Sequence, residues 1–415
     1  MSHLHIVGAG WAGLSAAIHG VLSGHQVTIY EMAPQVGGRA RGVTSNGLSL
    51  DNGQHILTGA CTLTLELMQR VGMDERRAFF RLPMRFSTPT GRTAQWLGYP
   101  SSAGRLWGLI TDHEMSLNER IQWIQCLMAL KRAQPREWLN SSTGAWLDRH
   151  ARPQVRPWFE ALCTSALNLN ADQANAAIFL QVMQESFKTP QSSDLLLPRL
   201  NLSELSPDSA VRWLMSQGAQ VCTGHRVEDI SPLLETGEVV LACSAAQAAR
   251  LTQTLAPAWS ELTRQLPFTG IATVYTQWKE SSQPPLPDPL IFLPHDQNVP
   301  AQVVIDVGQL RPHDHPKGLW SWVVSHAQLD RQTTIDRVLD QAVQVWGRRP
   351  EFKACFLDAR ATLAAVPSVQ RPGPEVSPGV WACGDYLDSL LPSTLEGAVR
   401  SGQAVVQRIM GSRTG

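Results

Sequence analysis

Three glycines near the N-terminus, Gly8, Gly10 and Gly13, form a G-x-G-x-x-G turn between an apolar segment and an alanine-rich one. Glycine at these places allows a tight turn and close approach of backbone to a pyrophosphate, which the following helix N-terminus attracts through its N–H groups and dipole. A second apolar segment ends at Glu31, 18 residues beyond Gly13, the spacing of a carboxylate that accepts ribose hydroxyls. An ordinary βαβ unit without nucleotide is the alternative. The predicted dinucleotide contacts here are Gly8, Gly10, Trp11, Ala12, Gly13, Glu31 and Met32.

A second glycine-rich turn, Gly37-Gly38, follows Glu31 at a short interval and is itself followed by Arg39. Adjacent glycines let the backbone pass close to a cofactor, and Arg39 brings a permanent positive charge to an anionic site. This combination favours FAD over NAD as the dinucleotide, whereas a surface turn with a hydrated arginine is the alternative reading. The predicted contacts in this turn are Gly38, Arg39 and Ala40.

A third glycine-bearing turn, Gly384-Asp385, lies near the C-terminus after a buried apolar strand. The Asp385 carboxylate could accept hydrogen bonds from the ribityl hydroxyls of a flavin. Downstream, Ser393 and Glu396 fit the S-x-x-E capping box at the start of the last helix, which includes Leu395. The positive end of that helix would stabilise the negative charge of a reduced flavin.

Together these motifs resemble the flavin amine oxidase and carotenoid desaturase superfamily. A middle segment, 219–246, is similar to the part of the family that contacts adenine, which implies a backbone contact from Val227. The D-N-G-Q-H sequence at Asp51–His55, with the L-P-S-T-L-E-G-A-V-R-S-G ending, resembles the bacterial hydroxysqualene dehydroxylases. The resemblance implies non-covalent FAD and adds these cofactor contacts: Gly53, Gln54, His55, Val227, Gly384, Asp385 and Leu395.

That resemblance also implies a reaction, the reductive removal of the hydroxyl of hydroxysqualene to give squalene with hydride from N5 of reduced FAD. The partners it implies are an isoprenoid substrate and an electron donor that reduces the flavin. Two other functions stay open. An oxidative isoprenoid desaturase or an amine oxidase would use the same fold with electrons flowing the other way, and a non-enzymatic prenyl-binding chaperone would share the architecture without flavin chemistry.

The proton for the leaving oxygen has two candidate donors, His55 and Asp388. An imidazolium suits acid catalysis near neutral pH, but a hydrogen-bonded His55 that only shapes its loop is the competing interpretation. Asp388 could equally cap a turn. We expect Asp51 to fix its own loop. His313-Asp314-His315 lies between prolines without an evident third ligand, so we predict a hydrated turn and no metal site.

Composition narrows the class of protein. The 415 residues are 43% apolar and 17% charged, which favours a large buried core, and the net charge of zero argues against nucleic acid as a partner. The seven cysteines are scattered without a C-x-x-C pair, as expected for reduced thiols. We find neither a signal peptide nor a run of 18 apolar residues, so a cytoplasmic location is expected.

Several of the fourteen tryptophans fall in or near one helical region. Core packing explains most of them, and an apolar tunnel or a rim facing the inner membrane is the other interpretation. Trp107-Gly108-Leu109-Ile110 is the segment we expect to enter the membrane interface if the protein binds there peripherally. The tryptophans in question are Trp96, Trp107, Trp123, Trp138, Trp146 and Trp158.

The strands and helices needed to position these residues indicate an α/β fold. We expect a Rossmann-type FAD-binding domain (GR2-like) with an interleaved α+β substrate domain. The FAD-binding domain would be discontinuous and comprise 1–80, 203–250 and 355–415, leaving 81–202 and 251–354 for the substrate domain with a helical lid. Apolar spacing predicts a helix over Asn118–Lys131 with Ile121, Ile124, Leu127 and Met128 on one face. Further predictions are strands at Thr269–Trp278, Val303–Val307 and Leu319–Ser325, and a helix at Thr333–Trp346.

Overall fold

The fold was analysed in a computed structural model that describes residues 3–113, 115–293, 299–325, 327, 330–387 and 390–412, without the side chains of Arg92 and Thr93. The eighteen strands of these residues are β1 (His3–Val7), β2 (Gln26–Glu31), β3 (Gly42–Ser45), β4 (Leu48–Asp51), β5 (Leu57–Thr58), β6 (Phe79–Leu82), β7 (Phe86–Thr88), β8 (Gly91–Thr93), β9 (Leu195–Pro198), β10 (Gln220–Thr223), β11 (Gly237–Leu241), β12 (Phe268–Gln277), β13 (Leu290–Phe292), β14 (Val303–Asp306), β15 (Leu319–Ser325), β16 (Glu351–Leu363), β17 (Glu375–Ser377) and β18 (Val380–Ala382).

The helices of the same residues are α1 (Trp11–Leu22), α2 (Thr62–Arg70), α3 (Glu75–Ala78), α4 (Ser102–Thr111), α5 (Leu117–Arg132), α6 (Thr143–His150), α7 (Arg156–Leu167), α8 (Ala176–Ser186), α9 (Leu202–Leu205), α10 (Pro207–Ser216), α11 (Ser231–Leu234), α12 (Ala245–Thr252), α13 (Pro257–Arg264), α14 (Val307–Leu310), α15 (Arg331–Trp346) and α16 (Leu395–Gly411). Short 3₁₀ turns lie at Gln95–Gly98, Pro135–Trp138, Gln191–Ser193 and Glu280–Ser282. The strands and helices predicted from sequence between 269 and 346 are confirmed, with ends within two residues of those expected.

A six-stranded sheet in the order β10-β2-β1-β11-β18-β17 forms the nucleotide-binding layer. Its first five strands are parallel, and β17 is antiparallel to β18. Both faces are covered, one by α1, α10 and α16 and the other around α12, so most residues of β1, β2, β11 and β18 are buried. Because parallel strands end at one edge, the turns after β1, β2, β11 and β18 meet there, and the α/β fold of Rossmann type is confirmed.

The second layer is an antiparallel sheet in the order β13-β14-β15-β12-β16. One face packs on α15 around four tryptophans, Trp278, Trp320, Trp322 and Trp346, with ring centroids between 5.2 and 6.3 Å apart. The other face packs against a small sheet in the order β5-β9-β6. Helices α4 to α8 form a separate core beside this sheet. The proposed division into two discontinuous domains stays a prediction, and β16 of the second layer extends across its boundary at residue 355.

Helix α5 forms where the sequence predicts it, and of the four apolar residues predicted on one face Ile124 and Leu127 pack against the helical core. The buried residues are Gln122, Trp123, Cys126 and Leu130, whereas Ile121 and Met128 are exposed. The pattern of apolar residues within α5 could not show which of its two stripes is buried, because both are largely apolar and both have helical spacing. Of the six tryptophans singled out above, Trp96, Trp123 and Trp146 are buried and Trp138 and Trp158 half-buried, so core packing explains five, and Trp107 is exposed.

His5 in β1 is a buried histidine held in its neutral form. Its Nε2 lies 2.9 Å from the Thr236 hydroxyl, and its Nδ1 lies 3.2 Å from the Tyr30 hydroxyl. Since Thr236 donates its own proton to Leu233 O, Nε2 of His5 is the donor and Nδ1 accepts from Tyr30. Burial and the neighbouring His3 lower the pKa of His5 from 6.5 to about 4.

We therefore expect His5 to contribute to acid unfolding. The pKa of His5 is lower in the folded than in the unfolded state. Its contribution to the free energy of unfolding is therefore fully present above pH 6.5 and is lost as pH falls towards 4. Replacement His5→Gln should reduce this loss by on the order of 2 kcal/mol, measured by urea unfolding between pH 7 and pH 4. The matched control is His313→Gln at an exposed position. Identical pH slopes for His5→Gln and wild type would contradict the assignment.

Candidate active site

The G-x-G-x-x-G turn has no room for side chains at its first and third glycines. Gly8 has φ +115°, and a Cβ there would lie 2.6 Å from Ala242 O at the end of β11. At Gly13 a Cβ would lie 2.0 Å from Gly8 O, so helix α1 approaches the turn as closely as the backbone allows. Gly10 is the N-cap of α1 and supplies no side-chain acceptor, which leaves N–H groups of the first turn available to an anion.

The Gly37-Gly38 turn packs directly on the first turn. The Gly37 N–H donates to Ala9 O at 2.9 Å, and Gly38, with φ +65°, would place a Cβ 3.2 Å from the Gly10 Cα. Behind them the buried Trp11 donates its indole N–H to Ala40 O at 3.1 Å. Trp11 and Ala40 therefore join the two turns from the core side, so any cofactor contact from them comes from their backbone.

Glu31 lies at the end of β2, where its carboxylate is buried beside both turns. Its Oε2 accepts from Ala9 N and its Oε1 from Ala33 N, each at 2.8 Å. A carboxylate has about four acceptor positions, so two remain for ribose hydroxyls. The neighbouring Met32 is 56% exposed and leaves this site open on its outer side.

The turns from the two ends of the chain meet through an ion pair. The Arg39 guanidinium donates to Asp385 Oδ1 at 2.6 Å and to Ala361 O of β16 at 2.7 Å. The neighbouring Asp385 carboxylate raises the pKa of Arg39, which stays charged. The amide N–H of Gly384 is held by the Ser401 hydroxyl of α16 at 2.9 Å. Residues 346 positions apart in sequence thus form one wall of the site.

Loop Asp51–His55 crosses the open face of the antiparallel sheet and is anchored at several points. The Asp51 carboxylate accepts from Arg311 at 2.6 Å and from Leu202 N at 2.8 Å, and both charged side chains are at most 2% exposed. The buried Tyr275 hydroxyl donates to Asp51 O at 3.1 Å and accepts from the Gln54 amide at 2.7 Å. Because burial raises the pKa of this phenol far above neutrality, Tyr275 always keeps its donor.

A sequence profile of the flavin containing amine oxidoreductase family matches residues 11–410. The chain belongs to this family. This flavoenzyme brings the glycine turns, Glu31 and the Gly384-Asp385 turn together at one edge of its parallel sheet. It is 25% identical to the hydroxysqualene dehydroxylase of Rhodopseudomonas palustris, with 98% of each chain covered. It is also 25% identical to the Zymomonas mobilis hydroxysqualene dehydroxylase, covering 97% of this chain and 98% of the relative.

Solved structures agree on the fold. An oxidoreductase from Methanosarcina mazei superposes with a TM-score of 0.71 at 17% identity, covering 98% of this chain and 100% of the other. Putrescine oxidase superposes with a TM-score of 0.67 at 15% identity, covering 99% of each. The family membership makes the protein an FAD-dependent oxidoreductase, and the superpositions show the same fold.

The cleft fits FAD on structural grounds. The glycine turns form a cradle that a Cβ would fill, the free first turn of α1 suits the pyrophosphate, and Glu31 keeps acceptor positions for ribose. Val227 is buried and its carbonyl accepts from Arg250 at 3.1 Å, which leaves its N–H for the adenine. Cys383 under the Gly384 turn is fully buried and its thiol pKa is raised by burial, which favours non-covalent binding. The individual contacts remain our proposal.

Of the two candidate proton donors, the described residues include only His55. Its Nδ1 lies 3.1 Å from Gly53 O, so Nδ1 carries the proton and Nε2 is left as an acceptor. Burial, opposed by the bond to Gly53, lowers the pKa of His55, so the ring is neutral at pH 7. This geometry favours the loop-shaping interpretation over a resident imidazolium. Asp388 lies outside the described residues.

Two predictions about polar residues are wrong. Thr394, and not Ser393, caps α16 by accepting from Gly397 N at 3.1 Å. Ser393 accepts from Leu363 N, while the Glu396 carboxylate accepts from Thr64 N and Thr64 Oγ1 and so caps α2. The local S-x-x-E pattern could not reveal that the nearest free N–H groups belong to another helix.

The hydrated turn predicted at His313–His315 is also only partly right, since His313 and Asp314 are exposed but His315 is 6% exposed. Burial and the nearby Arg311 lower the pKa of His315. The sequence analysis missed Arg311 and Tyr275 altogether. Both lie more than 200 residues from the loop that they hold, and no local spacing connects them to it.

The buried Asp51–Arg311 pair gives a stability prediction. Replacement Arg311→Met should cost about 3–5 kcal/mol because it leaves the Asp51 carboxylate buried without its cationic partner. Replacement Arg156→Met, which removes ion pairs at the surface with Asp148 and Glu160, should cost at most about 1 kcal/mol. Urea unfolding of both variants measures the difference, and the double variant Asp51→Asn/Arg311→Met should recover part of the loss. Equal costs for the two arginines would refute this reading.

Proposed function

We propose that the enzyme removes the hydroxyl of hydroxysqualene reductively to give squalene. What carries this proposal is the Asp51–His55 loop, whose D-N-G-Q-H sequence resembles the hydroxysqualene dehydroxylases and which lies against the Arg39 turn through a bond from Asn52 Nδ2 to Arg39 O at 3.1 Å. The relatives of that name match this chain over 96–98% of its length. The alternatives are oxidative desaturation and amine oxidation on the same fold.

The overall change replaces a C–O bond by a C–H bond, consumes one proton and one hydride, and releases water. Bound FAD supplies the hydride when it is reduced by an electron donor. The chain must exclude bulk water, place the hydroxylated carbon, and deliver the proton to the leaving oxygen. Loss of an allylic hydroxyl leaves a delocalised cation on the substrate. Arg39 pairs with Asp385, so the positive charge of Arg39 is compensated. An uncompensated positive charge there would oppose this cation by repulsion.

The proton source is proposed as His55 or Asp388. For His55 the pKa lowered by burial sets the sign of the pH dependence, because only the protonated imidazole can donate and its fraction grows as pH falls. If His55 donates, the single-turnover rate should rise as pH falls from 8 to 6, and His55→Gln should flatten this profile. A profile unchanged by His55→Gln would leave the proton transfer to Asp388.

The test of the function is an anaerobic single turnover. Enzyme reduced with dithionite is mixed with hydroxysqualene, reappearance of oxidised flavin absorbance is followed, and squalene is measured. We expect one squalene per flavin reoxidised. As a control, the oxidised enzyme is mixed with a polyamine or a carotenoid precursor. Rapid bleaching of the flavin by one of these, with no reoxidation by hydroxysqualene, would establish an oxidative enzyme instead.

An exposed apolar surface on α4 and α5 supports proposed contact with a membrane, from which an isoprenoid substrate must be drawn. Trp107 is 68% and Leu117 71% exposed, and Ile121 and Met128 of α5 are exposed as well. Leu109 of the predicted membrane segment is buried instead. No helix of the described ranges combines the length and apolarity needed to cross a bilayer. The surface, called the α4–α5 patch, consists of Leu106, Trp107, Ile110, Leu117, Ile121 and Met128.

Replacing two residues of the α4–α5 patch, Trp107→Ser with Leu117→Ser, should weaken binding to phospholipid vesicles at least tenfold, because interfacial binding scales with buried apolar area. Sedimentation with vesicles measures it. Leu255→Ser, at an exposed position between α12 and α13, is the matched control. Vesicle binding that is absent in wild type, or the same in all three proteins, would remove the membrane from the proposal.

A further inference from the structure

The side-chain amide of Gln54 has one atom that is held and one that is open. Its Nε2 donates to the Tyr275 hydroxyl at 2.7 Å. Its Oε1 accepts no hydrogen bond from any residue that the structure describes, and it is not enclosed by protein as the unpaired Thr273 Oγ1 nearby is. Gln54 Oε1 is therefore an acceptor that a ligand can reach beside the loop Asp51–His55.

The hydrogen bonds of Tyr275 determine which amide atom of Gln54 faces it. A phenol has one proton to donate and two lone pairs that accept. The Tyr275 hydroxyl donates to Asp51 O at 3.1 Å and accepts from Asp51 N at 3.2 Å. Its remaining lone pair needs a donor, so the Gln54 atom 2.7 Å away is the NH₂ group and not the oxygen. In a planar amide, Oε1 then points away from Tyr275.

The loop that carries this oxygen connects the cofactor turn to the antiparallel sheet. On one side Asn52 Nδ2 donates to Arg39 O at 3.1 Å. On the other side a Cβ at Gly53 would lie 3.9 Å from Thr273 Oγ1 of β12. Gln54 follows these two residues in the chain. Its free oxygen is thus held at the junction between the cofactor turns and the substrate-side sheet, where a substrate must lie to reach a flavin.

The chemistry of this oxygen limits what it can recognise. An amide oxygen accepts hydrogen bonds and has no proton to give, so Gln54 is not the acid that protonates a leaving group. A ligand group placed against it must donate. An isoprenoid hydrocarbon has no donor, and it would cover Oε1 without replacing the water there, which costs free energy. An isoprenoid alcohol brings one O–H group, which satisfies this acceptor.

We propose that Gln54 Oε1 accepts a hydrogen bond from the substrate's hydroxyl and that Gln54 thereby selects the alcohol over the hydrocarbon. Tyr275 is a positioning residue that acts through the Gln54 amide. The proposal rests on the proposed dehydroxylation and assigns a residue to its substrate's polar group. The cofactor contact expected of Gln54 would then come from its backbone.

This contact persists while the C–O bond breaks. The O–H bond that points to Gln54 stays intact, the leaving oxygen gains its second hydrogen from the proton donor, and hydride from reduced FAD replaces the oxygen on carbon. The oxygen departs as water. Squalene, the product, has no hydroxyl and loses this hydrogen bond, so it should dissociate more readily than the substrate.

The test compares binding of hydroxysqualene and squalene to the oxidised holoenzyme, followed by perturbation of the flavin spectrum. Wild type should bind the alcohol at least about tenfold more tightly than squalene. In Gln54→Met, which keeps the length of the side chain without its oxygen, this preference should disappear while the affinity for squalene is unchanged. Gln253→Met, at an exposed position after α12, is the matched control and should keep the wild-type preference.

Two further measurements test the direction of the hydrogen bond and the part of Tyr275. The methyl ether of hydroxysqualene keeps the oxygen but has no proton to donate, so Gln54→Met should not weaken its binding. Equal weakening of ether and alcohol in Gln54→Met would mean that the amide donates, and the assignment would be wrong. Tyr275→Phe should lose most of the preference for the alcohol although Gln54 is present, because the amide is then free to rotate.

The remaining outcomes separate this assignment from the proposed reaction. Wild type that binds alcohol and squalene equally, or Gln54→Met that keeps the preference, would overturn the role of Gln54. A flavin spectrum altered by Gln54→Met without ligand, with the preference intact, would assign the amide to the cofactor instead. Wild type that prefers the alcohol through Gln54 but forms no squalene when reduced would refute the dehydroxylation and leave the acceptor standing.

Discussion

The structure depends on close approach of backbone at the edge where the parallel strands end. The two glycine turns near the N-terminus pack backbone against backbone there, and Arg39 joins the second of them to the Gly384-Asp385 turn through Asp385. An additional methyl group at Gly8 or Gly13 would overlap with carbonyl oxygens, so the turns would separate. The cofactor cradle therefore forms because the glycines at these positions have no side chains. The charges of Arg39 and Glu31 can act on a cofactor only because the backbone already holds them beside the cradle.

The two sheets of the molecule are coupled through the same edge. Arg39 also donates to Ala361 O of β16, and the Asp51–Arg311 pair joins the β3–β4 hairpin to the segment that follows α14. A buried pair contributes little net stability compared with apolar packing, but breaking it is costly, so it specifies one relative position of the joined parts. The Tyr275 hydroxyl adds a hydrogen bond to Asp51 O, between two uncharged groups, at the same place. The loop that carries Gln54 and His55 is thus fixed by the substrate-side sheet.

The sequence alone was sufficient for features that depend on neighbours within about thirty residues. The glycine turns, Glu31 and the strands after them follow from local backbone requirements, and their meeting at one sheet edge follows from parallel pairing. Prediction from the sequence failed where the contact that decides a residue's role comes from a residue far away in the chain. Glu396 caps α2 instead of its own helix, His315 is buried against Arg311, and the buried face of α5 depends on which helices pack beside it. The spacing of apolar residues along a helix identifies an apolar stripe. It does not show whether that stripe packs against other parts of the protein or faces a different environment.

The direction of electron flow is not a property of this fold, since oxidases and reductive enzymes can share it. The balance of charge in the wall of the proposed site bears on the direction that we propose. Arg39 is the cation of the cleft wall; Asp385 pairs with it and Asp358 contributes a second negative charge to its surroundings. The neutral His55, Gln54 and Tyr275 add dipoles without positive charge. In the proposed dehydroxylation, an allylic cation formed beside this wall would meet no unpaired positive charge from Arg39.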